Sequence, residues 1–141
     1  MNEADALARR VADEMLRREG TGPAWGVTID EAREGYARIR MVVRDDMLNG
    51  HRIAHGGMIF ALADTAFAYA CNSRNETSVA QNATISFLAQ AQAGDVLVAE
   101  AREASRSVRS GVYHVSVRTV DGGMIAEFTG LSRTIGGAVI N

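Results

Sequence analysis

Asp64 is the residue whose chemistry demands an explanation first. It is the only acidic or basic residue in the run Gly56 to Ser73, among Phe60, Ala61, Phe67 and Ala68. A carboxylate is almost never fully buried without a partner, and desolvation raises its pKa. Asp64 is therefore either a paired structural acid, an acid on a wet stripe of a helix, or a group poised to move a proton or attack an electrophile. The pair Gly56-Gly57 opens the same run. The first N–H groups of a helix lack internal partners and sit at its positive dipole end. A carbonyl can approach such donors closely where no Cβ intervenes, which would make an oxyanion site. Eight residues separate Gly56 from Asp64, about 12 Å along one helix at 1.5 Å per residue. One small reacting group cannot touch both. A site using both must draw them from two helices, and we expect a twofold dimer in which Asp64 of one subunit faces Gly56 of the other. Asn49, in the preceding loop, would add a neutral donor and acceptor, or else serve only as the turn residue of Asn49-Gly50.

Other chemistries find less support. His51 and His55 are four apart in a glycine-rich loop, where that spacing has no helical meaning, and His114 stands alone. Together with the lone Cys71 they match no zinc-ligand spacing. No G-x-S-x-G elbow, G-x-G-x-x-G or P-loop is present. All 15 basic residues are arginine, so lysine chemistry is excluded. Arg102, Arg106 and Arg109 cluster at an expected strand end and turn. They make either a solvated turn or a fork-shaped grip on the phosphates of a nucleotide-tailed substrate. Tyr113, Met124 and Phe128 read as core or interface residues.

The chain has 141 residues, 47% hydrophobic and 23% charged, and a formal charge of −2. These values fit one folded domain, residues 1–141, and give no electrostatic case for nucleic acid. One cysteine allows no internal disulfide. The charged start (Glu3, Asp5, Arg9, Arg10) is unlike a signal peptide. The longest apolar run, Met58 to Cys71, is 14 residues, too short for a membrane span. A cytoplasmic protein with no membrane partner is expected.

These residues need elements to position them. Leu7, Val11 and Met15 recur at helical spacing over 3–19, with Asn2 as N-cap and Gly20 as the stop. Residues 21–26 read as a connector. Strands are expected over 27–32 and 36–43, then a polar loop over 44–56. Residues 57–72 are apolar on nearly every side, the mark of a buried helix. Its alanines (61, 63, 66, 68, 70) would let a sheet approach closely. Four further strands are expected over 78–90, 95–105, 110–120 and 123–134. Successive strands without intervening helices imply an antiparallel sheet. The expected fold class is α+β: a buried central helix wrapped by a five- to six-stranded antiparallel sheet, with an extra N-terminal helix.

Met47-Leu48-Asn49-Gly50-His51, His55-Gly56-Gly57 and Leu62 to Ser73 together resemble the hotdog-fold thioesterases of phenylacetic acid degradation, the PaaI type. Ile85 to Leu88, Gly94-Asp95 and Ser110 to Tyr113 are also similar, so the likeness runs from about 26 to 136. It implies the hotdog fold, edge-to-edge homodimers and homotetramers built as dimers of dimers. It implies hydrolysis of acyl-CoA thioesters, with hydroxylated phenylacetyl-CoA favoured. No separate cofactor is implied, since coenzyme A would be part of the substrate. The family's asparagine, helix-start glycine and helix aspartate fall on Asn49, Gly56 and Asp64, the aspartate coming from the opposite subunit. His55, Gly57, Arg106 and Arg109 are further candidates for holding CoA or the acyl group. Two positions depart from the family pattern. Ala89-Gln90 stands where many relatives carry Arg-Pro, and Ala80 where some carry a water-orienting serine. Two other readings compete: a hydratase or dehydratase using His55 and Asp64, and a non-catalytic acyl-CoA binding protein.

Overall fold

The computed structural model describes residues 1–141. The first helix, α1 (Glu3–Arg18), starts where Asn2 accepts a hydrogen bond from the Asp5 N–H at 2.8 Å. Acidic residues in its first turn and arginines in its last turn complement the helix dipole. Its buried stripe is Ala8, Val11 and Ala12, while Leu7 and Met15 are half-buried. The expected stripe is thus rotated by about one residue, because alanines let the helix lie closest to the sheet. The connector contains a single short turn of helix, α2 (Thr21–Ala24).

Six strands follow in one antiparallel sheet: β1 (Thr28–Arg33), β2 (Tyr36–Val42), β3 (Ser78–Phe87), β4 (Val96–Arg106), β5 (Ser110–Thr119) and β6 (Met124–Thr134). Their spatial order is β1-β2-β4-β5-β6-β3. The central helix, α3 (Gly56–Cys71), lies between β2 and β3 in the chain and packs across the inner face of the sheet. Period-two alternation sends Ala37, Ile39 and Met41 of β2 and Tyr113, Val115 and Val117 of β5 inward. They meet Leu62, Ala63, Ala66, Phe67 and Ala70 of α3, all fully or almost fully buried. Each large aliphatic side chain buried here contributes on the order of 1.5–3 kcal/mol. Gly130 of β6 permits the close approach: a Cβ there would stand 2.7 Å from the Phe67 ring.

The C-terminal end of α3 is tied down twice. Asn72, 2% exposed, donates to the Ala68 and Ser78 carbonyls and accepts from the Ser78 N–H, linking the helix end to the start of β3. Tyr69 donates to Glu19 at 2.6 Å and anchors the end of α1. The sheet and central helix expected from the sequence are the observed α+β hotdog fold, with six strands. One boundary needs correction. β3 ends at Phe87, not at residue 90, because the Leu88 and Ala89 N–H groups both converge on the Ile125 carbonyl and end the ladder. The expected loop over 44–56 also holds a 3₁₀ turn, Asp45–Met47.

Candidate functional site

The start of α3 is built by local chemistry. His55 is its N-cap, and the ring Nδ1 accepts from the Gly57 N–H at 2.8 Å. Met58 and Ile59 donate to the His55 carbonyl. Gly56 is left as the first-turn residue whose N–H has no partner in the chain. The two glycines therefore differ: the Gly57 donor is spent on the cap and the Gly56 donor is free. With Nδ1 committed as an acceptor, His55 keeps only Nε2 for any other contact. Its ring faces a neighbouring cleft of about 360 Å³ shared with Trp25, Asp46, Leu48, Gly57 and Met58.

Gly56 opens instead into a cleft of about 330 Å³ with Asn49, Ile53, Ile59 and the segment Phe87 to Gln90. One wall is the 49–54 loop. Asn49 holds it in shape, its Oδ1 accepting from the N–H groups of His51 at 2.9 Å and Ile53 at 3.4 Å. Asn49 is thus a turn residue and a cleft residue at once. The other wall is the chain leaving β3. The Ala54 N–H donates to the Ala91 carbonyl at 2.8 Å and ties the two walls together. No residue lining this cleft is ionisable. Phe87 to Gln90 were not singled out as site residues by spacing or type. Their exposure, 52% for Phe87 and 57% for Leu88, emerges only in the folded chain, and no signal in the sequence marks it. The Ala89-Gln90 departure falls in the cleft wall, whereas Ala80 lies on the exposed part of β3.

Asp64 lies two turns along α3, half-buried, and does not line the cleft. No hydrogen bond or ion pair to its carboxylate forms within the chain. Burial alone pushes its pKa above the ordinary carboxylate value. The neighbouring Cys71 thiol is pushed up to about 12, first by burial and then by the Asp64 charge, so it is no thiolate nucleophile at neutral pH. One protomer therefore brings Asn49, Gly56 and His55 to the start of α3 and leaves Asp64 apart.

Arg106 and Arg109 are at the other end of the sheet. Arg106 closes β4 opposite Gly111, and its Nη2 donates to Glu76 at 3.1 Å. The Arg109 carbonyl accepts from the Thr134 N–H, next to the Ser78 end of β3. Gly56 packs under Phe87 at the opposite end of that ten-residue strand, about 30 Å away. No group of three His, Cys, Asp or Glu side chains could hold a metal ion, and no helix is long and apolar enough to cross a membrane.

Comparison with known proteins identifies the family and agrees with the fold. The thioesterase superfamily matches residues 51–126, which include every candidate residue except Asn49. The chain is 41% identical over 128 residues to the acyl-coenzyme A thioesterase PaaI of Escherichia coli K12, covering 91% of each protein. The solved structure of the E. coli PaaI protein from the phenylacetic acid degradation operon superposes with a TM-score of 0.94 at 40% identity. The match covers 96% of this chain and 99% of that one. A variant of the PaaI phenylacetic acid degradation protein of Thermus thermophilus superposes at 0.80 with 34% identity, covering 83% and 100%. This chain belongs to the hotdog-fold acyl-CoA thioesterases of the PaaI family.

Proposed function

We propose that this thioesterase hydrolyses aromatic acyl-CoA thioesters, with phenylacetyl-CoA and its hydroxylated forms as the favoured class. The observation that carries the mechanism is the unbonded Gly56 N–H, aimed from a helix start into a cleft shared with Asn49. The thioester carbonyl oxygen accepts from that N–H. Charge that develops on the oxygen as the carbonyl carbon becomes tetrahedral is stabilised by the donor and the helix dipole. Asn49 orients the carbonyl or the water through its amide.

Asp64 comes from a second protomer. Its absence from the Gly56 cleft of its own chain supports this, as does the free edge of β3. That strand borders only β6, exposes most of its length, and leaves Val79 46% exposed. Such an edge is a template for pairing with another strand. Antiparallel pairing of two β3 edges sets the Ser78 end of one strand beside the Phe87 end of the other. Arg106 and Arg109 of one protomer then approach the cleft of the next, where they would hold the CoA phosphates. A homotetramer, as a dimer of such dimers, completes the assembly. A lone cysteine suits a reducing, cytoplasmic setting.

The raised pKa of Asp64 moves it toward the operating pH of a general base. It takes a proton from water as the oxygen adds to the carbonyl carbon. The tetrahedral centre collapses, the C–S bond breaks, and the thiolate sulfur takes the proton back, leaving acid and CoA. Direct attack by Asp64 would instead give a mixed anhydride that water cleaves. A single turnover in ¹⁸O-water tests for the second route. Label in Asp64 marks an anhydride cleaved at the Asp64 carbonyl, whereas direct hydration puts the label in the acid product, as would cleavage of the anhydride at its acyl carbon. His55 as a hydratase acid finds no support, because it lines the neighbouring cleft and not the one that holds the free Gly56 N–H.

The test is thiol release from phenylacetyl-CoA, hydroxyphenylacetyl-CoA and straight-chain acyl-CoAs. Wild type is expected to release CoA fastest from the aromatic members, and Asp64→Asn to release almost none. No release from any thioester would overturn the reading.

A further inference from the structure

The chain has four phenylalanines, and they divide three to one. Phe60, Phe67 and Phe128 join Tyr113 in one aromatic cluster, with ring centroids 5.4–5.7 Å apart. Phe87 takes no part in it. It is the last residue of β3, half exposed, and its ring packs on the bare backbone of Gly56. A Cβ on Gly56 would stand 3.1 Å from Phe87 Cζ, tighter than ordinary van der Waals contact. Glycine at 56 thus serves the ring as well as the substrate.

The surroundings narrow what this ring can meet. It walls the same cleft as the free Gly56 N–H, together with Ile53, Ile59 and Leu88. The polar side chains there are the carboxamides of Asn49 and Gln90, and no charge faces the space. A dry cavity of about 150 Å³ accommodates benzene, so the 330 Å³ here has room for an aryl group beside a thioester. An aromatic face next to an uncharged pocket favours an aromatic guest through offset or edge-to-face contact.

Resting on the thioesterase reading above, we infer that Phe87 is a specificity-determining residue, whose ring on Gly56 selects aromatic over straight-chain acyl groups. The experiment compares kcat/KM for phenylacetyl-CoA and hexanoyl-CoA in wild type, Phe87→Leu and Phe87→Tyr, with light scattering to follow the assembly. Phe87→Leu is expected to lower the ratio of the phenylacetyl to the hexanoyl value about three- to tenfold, whatever loss at Gly56 the two substrates share. Phe87→Tyr, which keeps the ring, is expected to hold the wild-type ratio and the wild-type assembly. Equal losses on both substrates in Phe87→Leu would mean the ring meets the shared CoA arm, and would overturn the inference. So would a ratio in Phe87→Tyr that falls as in Phe87→Leu. If Phe87→Leu changes assembly, Phe87→Met, which also lacks the ring, takes its place: a fall in its ratio supports the inference and an unmoved ratio overturns it. Wild type that hydrolyses neither thioester would overturn the thioesterase reading and this inference together, whereas an active wild type with an unmoved ratio overturns this inference alone.

Discussion

Asp64 on α3 and Glu103 on β4 are two half-buried carboxylates with opposite fates. Glu103 accepts from both terminal nitrogens of Arg74, at 2.7 and 3.2 Å, and from the Tyr113 hydroxyl at 3.0 Å. The Arg74 hydrogen bond holds its pKa below the ordinary glutamate value, against the opposing pull of burial. Asp64 has no such partner, and burial raises it. Burial therefore does not by itself decide what an acid does in this fold; the supply of donors does. Glu103 receives its donors from β5 and from the loop after α3, and is structural. Asp64 is left with none on a helix face lined by alanines, which is the state a proton-transferring group requires.

The sharpest way to break this contrast is to neutralise each acid. Asp64→Asn should lower kcat by about 10²–10⁴-fold while thioester binding and the fold persist. Glu103→Gln should keep kcat within about threefold at a temperature where it remains folded. Loss of turnover in a stably folded Glu103→Gln would abolish the distinction. Gly56→Ala comes next. Its new methyl must displace the Phe87 ring and crowds the free N–H, so kcat should fall about 10–100-fold with less change in KM. Steady-state kinetics at saturating thioester reads the split.

Stability should show the reverse order. Glu103→Gln weakens the Arg74 grip and the Tyr113 hydrogen bond, and should cost about 1–3 kcal/mol in urea unfolding. Its pH dependence has a defined sign. The depressed Glu103 pKa contributes stability that is present above the unfolded value near 4.5 and lost as pH falls through the lower folded value. The mutant and wild type should therefore converge on acidification. Asp64 runs the other way. Its raised folded pKa means that ionisation opposes folding, and this penalty grows as pH rises from the unfolded value near 3.8 through the folded one. Asp64→Asn should melt about 1–4 °C above wild type at neutral pH and match it below that window. A melt below wild type at neutral pH would show that Asp64 has a partner in the assembly.

Most of the fold was legible because its signals are local. The N-cap at Asn2, the alternation in β2 and β5, and the apolar run of α3 each depend on a few neighbouring residues. The end of β3 was misplaced because nothing in Phe87 to Gln90 forbids a strand. It stops where two N–H groups share the Ile125 carbonyl, a contact from 36 residues away in the case of Ala89. The candidate site was legible by type: an acid where none should be, and glycines where a helix begins. The cleft walls were not, since Phe87 and Ala89 carry no chemistry that marks them.

The sequence by itself determined which groups are candidates for the chemistry and the eight-residue spacing between Gly56 and Asp64. Helix rise is a constant of the backbone, so that separation follows without knowledge of the fold. Only the tertiary structure decided which glycine N–H is free, since the His55 ring could in principle have turned elsewhere. It also decided that Phe87 meets Gly56, and that Arg106 and Arg109 lie at the far end of the sheet. The last two outcomes depend on the strand order β1-β2-β4-β5-β6-β3. That order joins segments distant in the chain through the packing of a shared core, and no local pattern encodes it.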